Sequence, residues 1–199
     1  MACMRKRSWA IGLALGLVVG LIFGGLWPNS PLHAVATDHA ENFAMATGFV
    51  DDNVEAVFLM DFVTGSLKAA VVSNQRPGFQ AFYESSVMAD LATSIADLNV
   101  RIKAENAARK KQGIPARPDV QAPQTPHFLL VTGTADLRRG AARARPSRSL
   151  VYVAETNTGV VLAYVLPWEA DAHMTDRRIL GRLMLWAGDQ FVATVTRTE

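Results

Sequence analysis

Two carboxylates stand at equivalent places in a short motif that occurs twice in the chain. Asp61 and Glu155 are each followed, three and four residues later, by Thr and Gly. A pair of carboxylates could carry out general acid–base catalysis. Their equivalence favours another role, because each carboxylate can accept hydrogen bonds from its own turn while Gly65 or Gly159 supplies a backbone angle that other residues resist. We therefore expect these residues to be structural.

No other arrangement of residues indicates an enzyme. The sequence has no Gly-x-Ser-x-Gly elbow, no phosphate-binding glycine-rich loop and no His-Glu-x-x-His. Its single cysteine, Cys3, precedes the first hydrophobic run, so we expect no disulfide and no cysteine-based zinc site. The histidines lack the paired spacing of metal ligands; they are His33, His39, His127 and His173. We expect no metal, no cofactor and no enzymatic activity.

A cluster of arginines lies in the second copy of the repeat. Gly48 and Asp61 lie 13 positions apart, whereas Gly133 and Glu155 lie 22 apart, so the second copy has nine additional residues. These arginines are Arg138, Arg139, Arg143, Arg145 and Arg148. They could contact anionic lipid headgroups, an acidic wall polymer or an acidic partner protein, or they could belong to a solvated loop. Nucleic acid is not expected, because aromatic residues are not interleaved with them.

The carboxylates and glycines belong to two predicted β-hairpins. Residues 57–72 align with residues 151–166 without a gap, and each copy is a β-rich run, a turn and a second β-rich run. The similarity extends upstream, where residues 43–48 match residues 128–133 as a preceding strand. The sequence therefore predicts a mainly β domain made of duplicated antiparallel units of three to four strands.

The repeated hairpins resemble a known class of β-structure. The pattern apolar-Tyr-Val-x-Asp/Glu-x-x-Thr-Gly-x-x-Leu-Ala-Tyr is similar to the inner hairpin of a β-propeller blade of the quinoprotein or surface-layer type. A propeller needs roughly 4–8 blades of four strands, and this chain has room for about two. The resemblance thus implies either a compact β domain or a ring to which several chains contribute.

As a whole, the chain resembles an uncharacterised bacterial family of membrane-anchored proteins. The resemblance rests on the N-terminal leader, on residues 40–44 (Ala-Glu-Asn-Phe-Ala) and on the two hairpins. It implies an anchored envelope protein and no particular site residue.

The N-terminal residues predict a membrane anchor. Residues 1–8 are basic, and residues 9–27 contain no charge. A helix of that length spans about 28 Å, close to the hydrocarbon thickness of a bilayer. Basic residues before the span hold the N-terminus in the cytoplasm. We therefore expect a single-pass protein of the cytoplasmic (inner) membrane, with residues 37–199 as an extracytoplasmic domain.

The same leader allows a second interpretation. Ala34 and Ala36 form an Ala-x-Ala site, and a basic start followed by an apolar run and such a site is typical of a secretory signal peptide. The chain would then be cleaved after Ala36. The apolar run is longer than that of an ordinary signal peptide, which favours the uncleaved anchor.

Four glycines inside the predicted span are spaced four residues apart. They are Gly12, Gly16, Gly20 and Gly24. Such spacing puts all four near one helix face, along which a second helix could pack closely as in a glycine zipper. The alternative is that glycine is simply frequent in membrane spans. The pattern predicts a homo-oligomer or a partner helix in the envelope.

One amphipathic helix is predicted between the two β units, over about residues 86–111. Ser85 or Ser86 can cap it. Its apolar stripe consists of Met88, Leu91, Ile95, Leu98 and Ile102. The stripe could pack on the sheet of its own domain or form a short coiled-coil contact between protomers. Residues 114–126 contain four prolines, which predicts an extended surface linker.

The C-terminal tail predicts a closing hairpin. Residues 179–186 would form its first arm, or alternatively a short helix, and residues 190–196 alternate as a second arm.

Two hypotheses for the function follow. In the first, the chain is a membrane-anchored, non-enzymatic envelope protein for assembly or partner binding through its duplicated β-hairpin domain. In the second, it is a propeller-like ligand-binding or enzymatic module completed by oligomerisation. The second hypothesis requires a closed ring of chains.

Overall fold

The computed structural model describes residues 37–137 and 144–192 and, of the N-terminal region, Gly16 alone. The chain divides into two units, Met1–Ala34 and Val35–Glu199. Only the second is described in detail here. The prediction of a mainly β protein is confirmed, because the described residues form two sheets and few helices.

The elements of the second unit follow in chain order. The strands are β1 (Thr37–His39), β2 (Phe43–Asp51), β3 (Val54–Asp61), β4 (Ser66–Val72), β5 (Phe79–Ser86), β6 (Phe128–Thr134), β7 (Arg145–Glu155), β8 (Val160–Trp168), β9 (Ile179–Gly181) and β10 (Met184–Gln190). The helices are α1 (Val87–Lys111) and α2 (Ala170–Met174). The six-stranded sheet has the order β1-β2-β3-β4-β5-β9, and the four-stranded sheet has the order β10-β8-β7-β6.

Corresponding strands of the two sheets are paired in the same register. Phe43 of β2 lies opposite Asp61 of β3, and Phe128 of β6 lies opposite Glu155 of β7. Across each hairpin, the carboxylate lies opposite the first residue of the next strand, in β4 and in β8. The gap-free alignment of the two sequence segments is thus matched by strand pairing, since register places every side chain on a defined face.

The two sheets pack on each other through β2, which contacts β6 and β7. A Cβ atom on Gly48 would lie 2.8 Å from the Cβ of Ser149, so glycine permits the close approach. The hydroxyl of Thr132 donates to the carbonyl of Thr47 at 2.6 Å, just beyond the last residue of β2 that pairs with β1. This bond satisfies a carbonyl that the end of the short edge strand would otherwise leave open.

Helix α1 packs against β4, β8 and β10, where it contributes to the common core. Ser86 is its N-cap and accepts a hydrogen bond from the N–H of Ala89. The buried stripe of the helix comprises Val87, Leu91, Ile95, Leu98 and Ile102. Burying a Leu or Ile side chain stabilises a fold by roughly 1.5–3 kcal/mol. Asp90 also accepts a hydrogen bond from the buried Tyr164 hydroxyl of β8 at 3.1 Å.

The segment after α1 runs along the helix and is held by two asparagine side chains. The amide of Asn99 donates to the Val120 carbonyl at 2.9 Å and accepts from the Val120 N–H at 2.8 Å. Asn106 makes the same pair of bonds with Arg117, both at 2.7 Å. Val120 is buried against the core. The proline-rich linker is therefore attached to the helix at two defined points.

The tail differs from the predicted hairpin. Strand β9 pairs in parallel with β5, whereas β10 pairs antiparallel with β8, so the predicted first arm is divided between the two sheets. That part of the prediction is wrong, because the free sheet edges offered by β5 and β8 compete with the local partner. Most of the predicted second arm, residues 193–196, lies outside the described residues.

Candidate functional site

The first hairpin turn places its carboxylate in an exposed network. Asp61 accepts hydrogen bonds from the N–H groups of Val63 at 2.9 Å and Thr64 at 3.2 Å, and from the Thr64 hydroxyl at 2.7 Å. The hydroxyl bond, followed by the backbone bonds, holds the pKa of Asp61 below its ordinary value. Gly65 follows with a φ of 64°, which favours glycine.

The second turn repeats this arrangement with a buried carboxylate. Glu155 accepts from the N–H groups of His127 and Asn157, both at 3.1 Å. Its other oxygen accepts from the N–H and the hydroxyl of Thr158, both at 2.7 Å. Gly159 has a φ of 69°. Asp61 and Glu155 lie in different sheets, and each accepts hydrogen bonds from the backbone of its own turn.

The other predicted site residues are described in part. Arg138, Arg139 and Arg143 lie outside the described residues, as do Gly12, Gly20 and Gly24. Gly16 is helical and exposed. Arg145 is exposed on β7, and Arg148 forms an ion pair with Asp52 at 2.5 Å. Arg148 thus connects β7 to the turn between β2 and β3.

His173 belongs to a buried polar cluster that attaches α2 to the six-stranded sheet. The side-chain amide of Gln80 donates to the carbonyls of Ala172 at 2.8 Å and Arg177 at 3.0 Å. Its oxygen therefore accepts from Nδ1 of His173, 2.7 Å away. The ring of Trp168 lies 5.0 Å from the imidazole, between centroids. Burial lowers the pKa of His173, so the neutral imidazole is favoured.

The described residues offer no group of three His, Cys, Asp or Glu side chains that could hold a metal ion. In the same part of the chain, no helix has both the length and the apolar character to cross a membrane. The predicted span, residues 9–27, lies outside it apart from Gly16.

The largest feature that remains is the outer face of the six-stranded sheet, the side turned away from the core. Seven large apolar side chains on this face are 37–69% exposed. They are Phe43, Met45, Leu59, Val72, Phe79, Phe82 and Leu180. Because strand residues alternate between faces, the neighbours of these residues in β2, β3 and β4 form the buried core. The strands of this sheet therefore carry apolar residues on both sides.

The outer face of the four-stranded sheet is partly covered by the chain itself. There, Leu150, Ala163 and Val165 form a second, smaller buried cluster. Leu137, which follows β6, and Trp186 of β10 pack against that cluster. The four-stranded sheet thus covers part of its outer face with its own chain and leaves Leu129 and Val131 of β6 exposed, whereas all seven apolar side chains named on the six-stranded sheet are exposed. Contiguous exposed apolar surface of this kind marks interaction sites in soluble domains.

Polar and aromatic contacts give the outer face a defined pattern. Lys68 of β4 lies opposite Glu84 of β5, and their charged groups are 3.7 Å apart. The Ser66 hydroxyl donates to the same carboxylate at 2.8 Å. Farther along these strands, Phe82 makes an edge-on contact with the ring of Phe79 at 6.0 Å, and the guanidinium of Arg178 lies 5.8 Å from the centre of the Phe82 ring.

Sequence reasoning missed this face, although a signal for it is present. Strands that expose one side to water alternate apolar and polar residues. In residues 43–46 and 57–60 that alternation fails, because both sets of positions are apolar.

Comparison with protein-family models, with curated proteins and with solved structures finds no match for the chain. Its function must therefore be inferred from its own residues.

Proposed function

We propose that the chain is a membrane-anchored, non-enzymatic protein of the cell envelope that binds a protein surface through its β-rich domain. The observation that carries the proposal is the outer face of the six-stranded sheet. Seven large apolar side chains share one side of five neighbouring strands. A protein partner would remove this apolar surface from water, which favours association.

The turns and the polar cluster support a binding role over a catalytic one. Asp61 and Glu155 are occupied by the N–H groups of their own turns. His173 is engaged by Gln80, which in turn fixes the backbone of α2. These groups use their hydrogen-bonding capacity to hold the fold. The membrane location rests on the uncharged residues 9–27.

The packing of the sheets supports this proposal over a propeller completed by several chains. Blades of a propeller are arranged radially around a central channel. Here β2 of the six-stranded sheet packs on β6 and β7 of the four-stranded sheet within one chain. The repeated hairpins thus bury their inner faces against each other and leave the outer face of the six-stranded sheet for a partner.

A site-specific cross-link tests the proposal. Val72→Cys and Val100→Cys would be made in a Cys3→Ser background and labelled in membranes with a maleimide–benzophenone reagent. Val72 lies on the outer face at 57% exposure, and Val100 lies on α1 at 68% exposure. We expect protein adducts from position 72 in the membrane fraction and at least fivefold fewer from position 100.

The two positions carry the same substitution at similar exposure, so labelling efficiency is matched. Equal adduct yields at both positions, or recovery of the intact chain in the soluble fraction without adducts, would contradict the proposed function.

A further inference from the structure

We propose that the partner of the outer face is the same face of a second copy of this chain. The inference rests on the proposed function and specifies its partner. Two copies would be related by a two-fold axis that runs parallel to the strands, midway between β4 and β5, in the plane between the two faces. Such an interface is isologous and must therefore be self-complementary.

The charges of the face satisfy that requirement. Lys68 and Glu84 are cross-strand neighbours on β4 and β5, one on each side of the proposed axis. Rotation about the axis places Lys68 of one copy opposite Glu84 of the other, and the reverse pair forms at the same time. Each carboxylate then faces a cation from its own strand neighbour and from the second copy. Complementary charges of this kind fix the register of an interface.

Side-chain size is complementary about the same axis. Ala70 of β4 is paired with Phe82 of β5, and Val72 is paired with Phe79. The rotation places each small side chain of β4 opposite an aromatic ring of the second copy. When a large side chain of one copy faces a small side chain of the other, the two sheets can interdigitate at the usual separation of about 10 Å. If both strands carried aromatic residues at these positions, the rings of the two copies would clash.

The position of the first strand agrees with this symmetry. Thr37, the first residue of β1, pairs with Ala46 at one edge of the same sheet. An axis parallel to the strands brings Thr37 of both copies to the same end of the dimer. Two chains anchored in one membrane require that arrangement, because both N-terminal segments must enter the bilayer from one side.

A bilayer surface is the less suitable occupant. The outer face carries the carboxylates of Glu55, Asp61 and Glu84 among its apolar residues. Anionic headgroups repel these charges, and burial in the acyl region would desolvate them. In the proposed dimer, Lys68 of the second copy lies opposite Glu84 instead.

Charge reversal tests the inference with the full chain in mild detergent. Lys68→Glu and Glu84→Lys would be prepared with different affinity tags and compared with the unaltered chain. Each variant alone places like charges across the axis, so we expect its dimer dissociation constant to rise roughly 100-fold. Mixing the two variants restores both pairs, and the tags should co-purify with near-original affinity. The double variant Lys68→Glu/Glu84→Lys should also dimerise.

Two controls separate this effect from unfolding and from a general effect of charge reversal. The Lys68–Glu84 pair is 58% and 62% exposed, so urea midpoints of all variants should stay close to that of the unaltered chain. Arg101 and Asp189 form an exposed pair on α1 and β10, away from the face. Arg101→Glu should leave self-association unchanged.

Every other result overturns the inference. Dimerisation that ignores all charge reversals would place the contact elsewhere, and a monomeric unaltered chain would exclude a dimer. If the adduct from Val72→Cys contains a different protein, or if the chain binds anionic vesicles as a monomer, the outer face has another occupant. An adduct with a different protein leaves the proposed function intact, whereas the absence of any adduct removes both.

Discussion

The two hairpin turns share a register but differ in what surrounds them. The Asp61 turn lies near the surface, and the residue equivalent to Asn157 of the second turn is Val63, which is 75% exposed. In the second turn, Glu155 is buried, and Asn157 donates to the Thr125 carbonyl of the linker at 3.0 Å. The same local hydrogen bonds thus serve an open loop in one sheet and an enclosed one in the other.

This difference shows that two copies of a repeated motif can contribute differently to the free energy of unfolding. A backbone N–H near the surface can donate a hydrogen bond to water when its acceptor is lost, whereas a buried N–H cannot. The loss of a carboxylate should therefore be costly in the second turn and mild in the first, although the two sequences align without a gap.

The largest contrast is expected from removing the carboxylates. Glu155→Ala leaves the buried N–H of Thr158 and the part-buried N–H groups of His127 and Asn157 without their acceptor, so we expect a loss of about 3 kcal/mol in the free energy of unfolding. Asp61→Ala should cause a much smaller loss. Urea denaturation followed by tryptophan fluorescence measures both.

The isosteric amide variants Glu155→Gln and Asp61→Asn test the same difference between the two turns. In Glu155→Gln, an amide nitrogen would replace one of the two accepting oxygens. It would then face either the N–H of Thr158 or the N–H groups of His127 and Asn157 without accepting from them, so most of the loss in the free energy of unfolding should persist. In Asp61→Asn, the amide can donate to the Thr64 hydroxyl and still accept from the backbone. Equal losses for the two alanine variants would show that burial does not distinguish the turns.

A smaller contrast is expected at the glycines. Alanine at either position adopts a positive φ, which costs roughly 1–2 kcal/mol. At Gly159, the new Cβ would also lie 2.4 Å from the Val192 carbonyl oxygen, so the total should reach about 3 kcal/mol. At Gly65, the Cβ would meet the flexible side chain of Met88, which can move.

The control for this prediction is Met88→Ala combined with Gly65→Ala. Removing the methionine side chain should leave only the backbone cost at position 65. Thermal unfolding temperatures would be compared, and a Gly65→Ala variant less stable than Gly159→Ala would reverse the expected order.

The smallest effect is expected from pH, and it concerns the first turn. The pKa of Asp61 is lowered in the folded state, chiefly by the Thr64 hydroxyl. A lowered folded pKa adds stability that is fully present above the ordinary value of about 3.9 and is lost as pH falls below it. Asp61→Asn should therefore flatten the fall of the urea midpoint between pH 5 and pH 3. An unchanged slope would show that the carboxylate adds nothing to stability in this range.

The mainly β fold could be predicted from the sequence because hairpins are encoded locally. The x-x-Thr-Gly turns, with Gly65 and Gly159 at positive φ, set the register of the strands on both sides. The stripe from Leu91 to Ile102 likewise repeats at the helical period, and it is buried. Neighbours in sequence determine these features, so no knowledge of the other sheet is needed.

The remaining features depend on contacts between distant residues. Strand β9 has three residues, and its parallel pairing with β5 depends on an open sheet edge and on the Gln80–His173 bond, 93 positions apart in sequence. The burial of Glu155 depends on the linker and tail that cover its turn. The outer face escaped prediction for the same reason, since exposure depends on where every other segment packs.

The asparagine contacts of the linker also restrict how two copies of the chain can associate. Domain swapping, in which a four-stranded sheet leaves its own chain to complete a neighbour, would need residues 114–126 to open as a hinge. Opening would break the four hydrogen bonds that Asn99 and Asn106 make with Val120 and Arg117, and it would expose the buried Val120. The contacts therefore disfavour domain swapping.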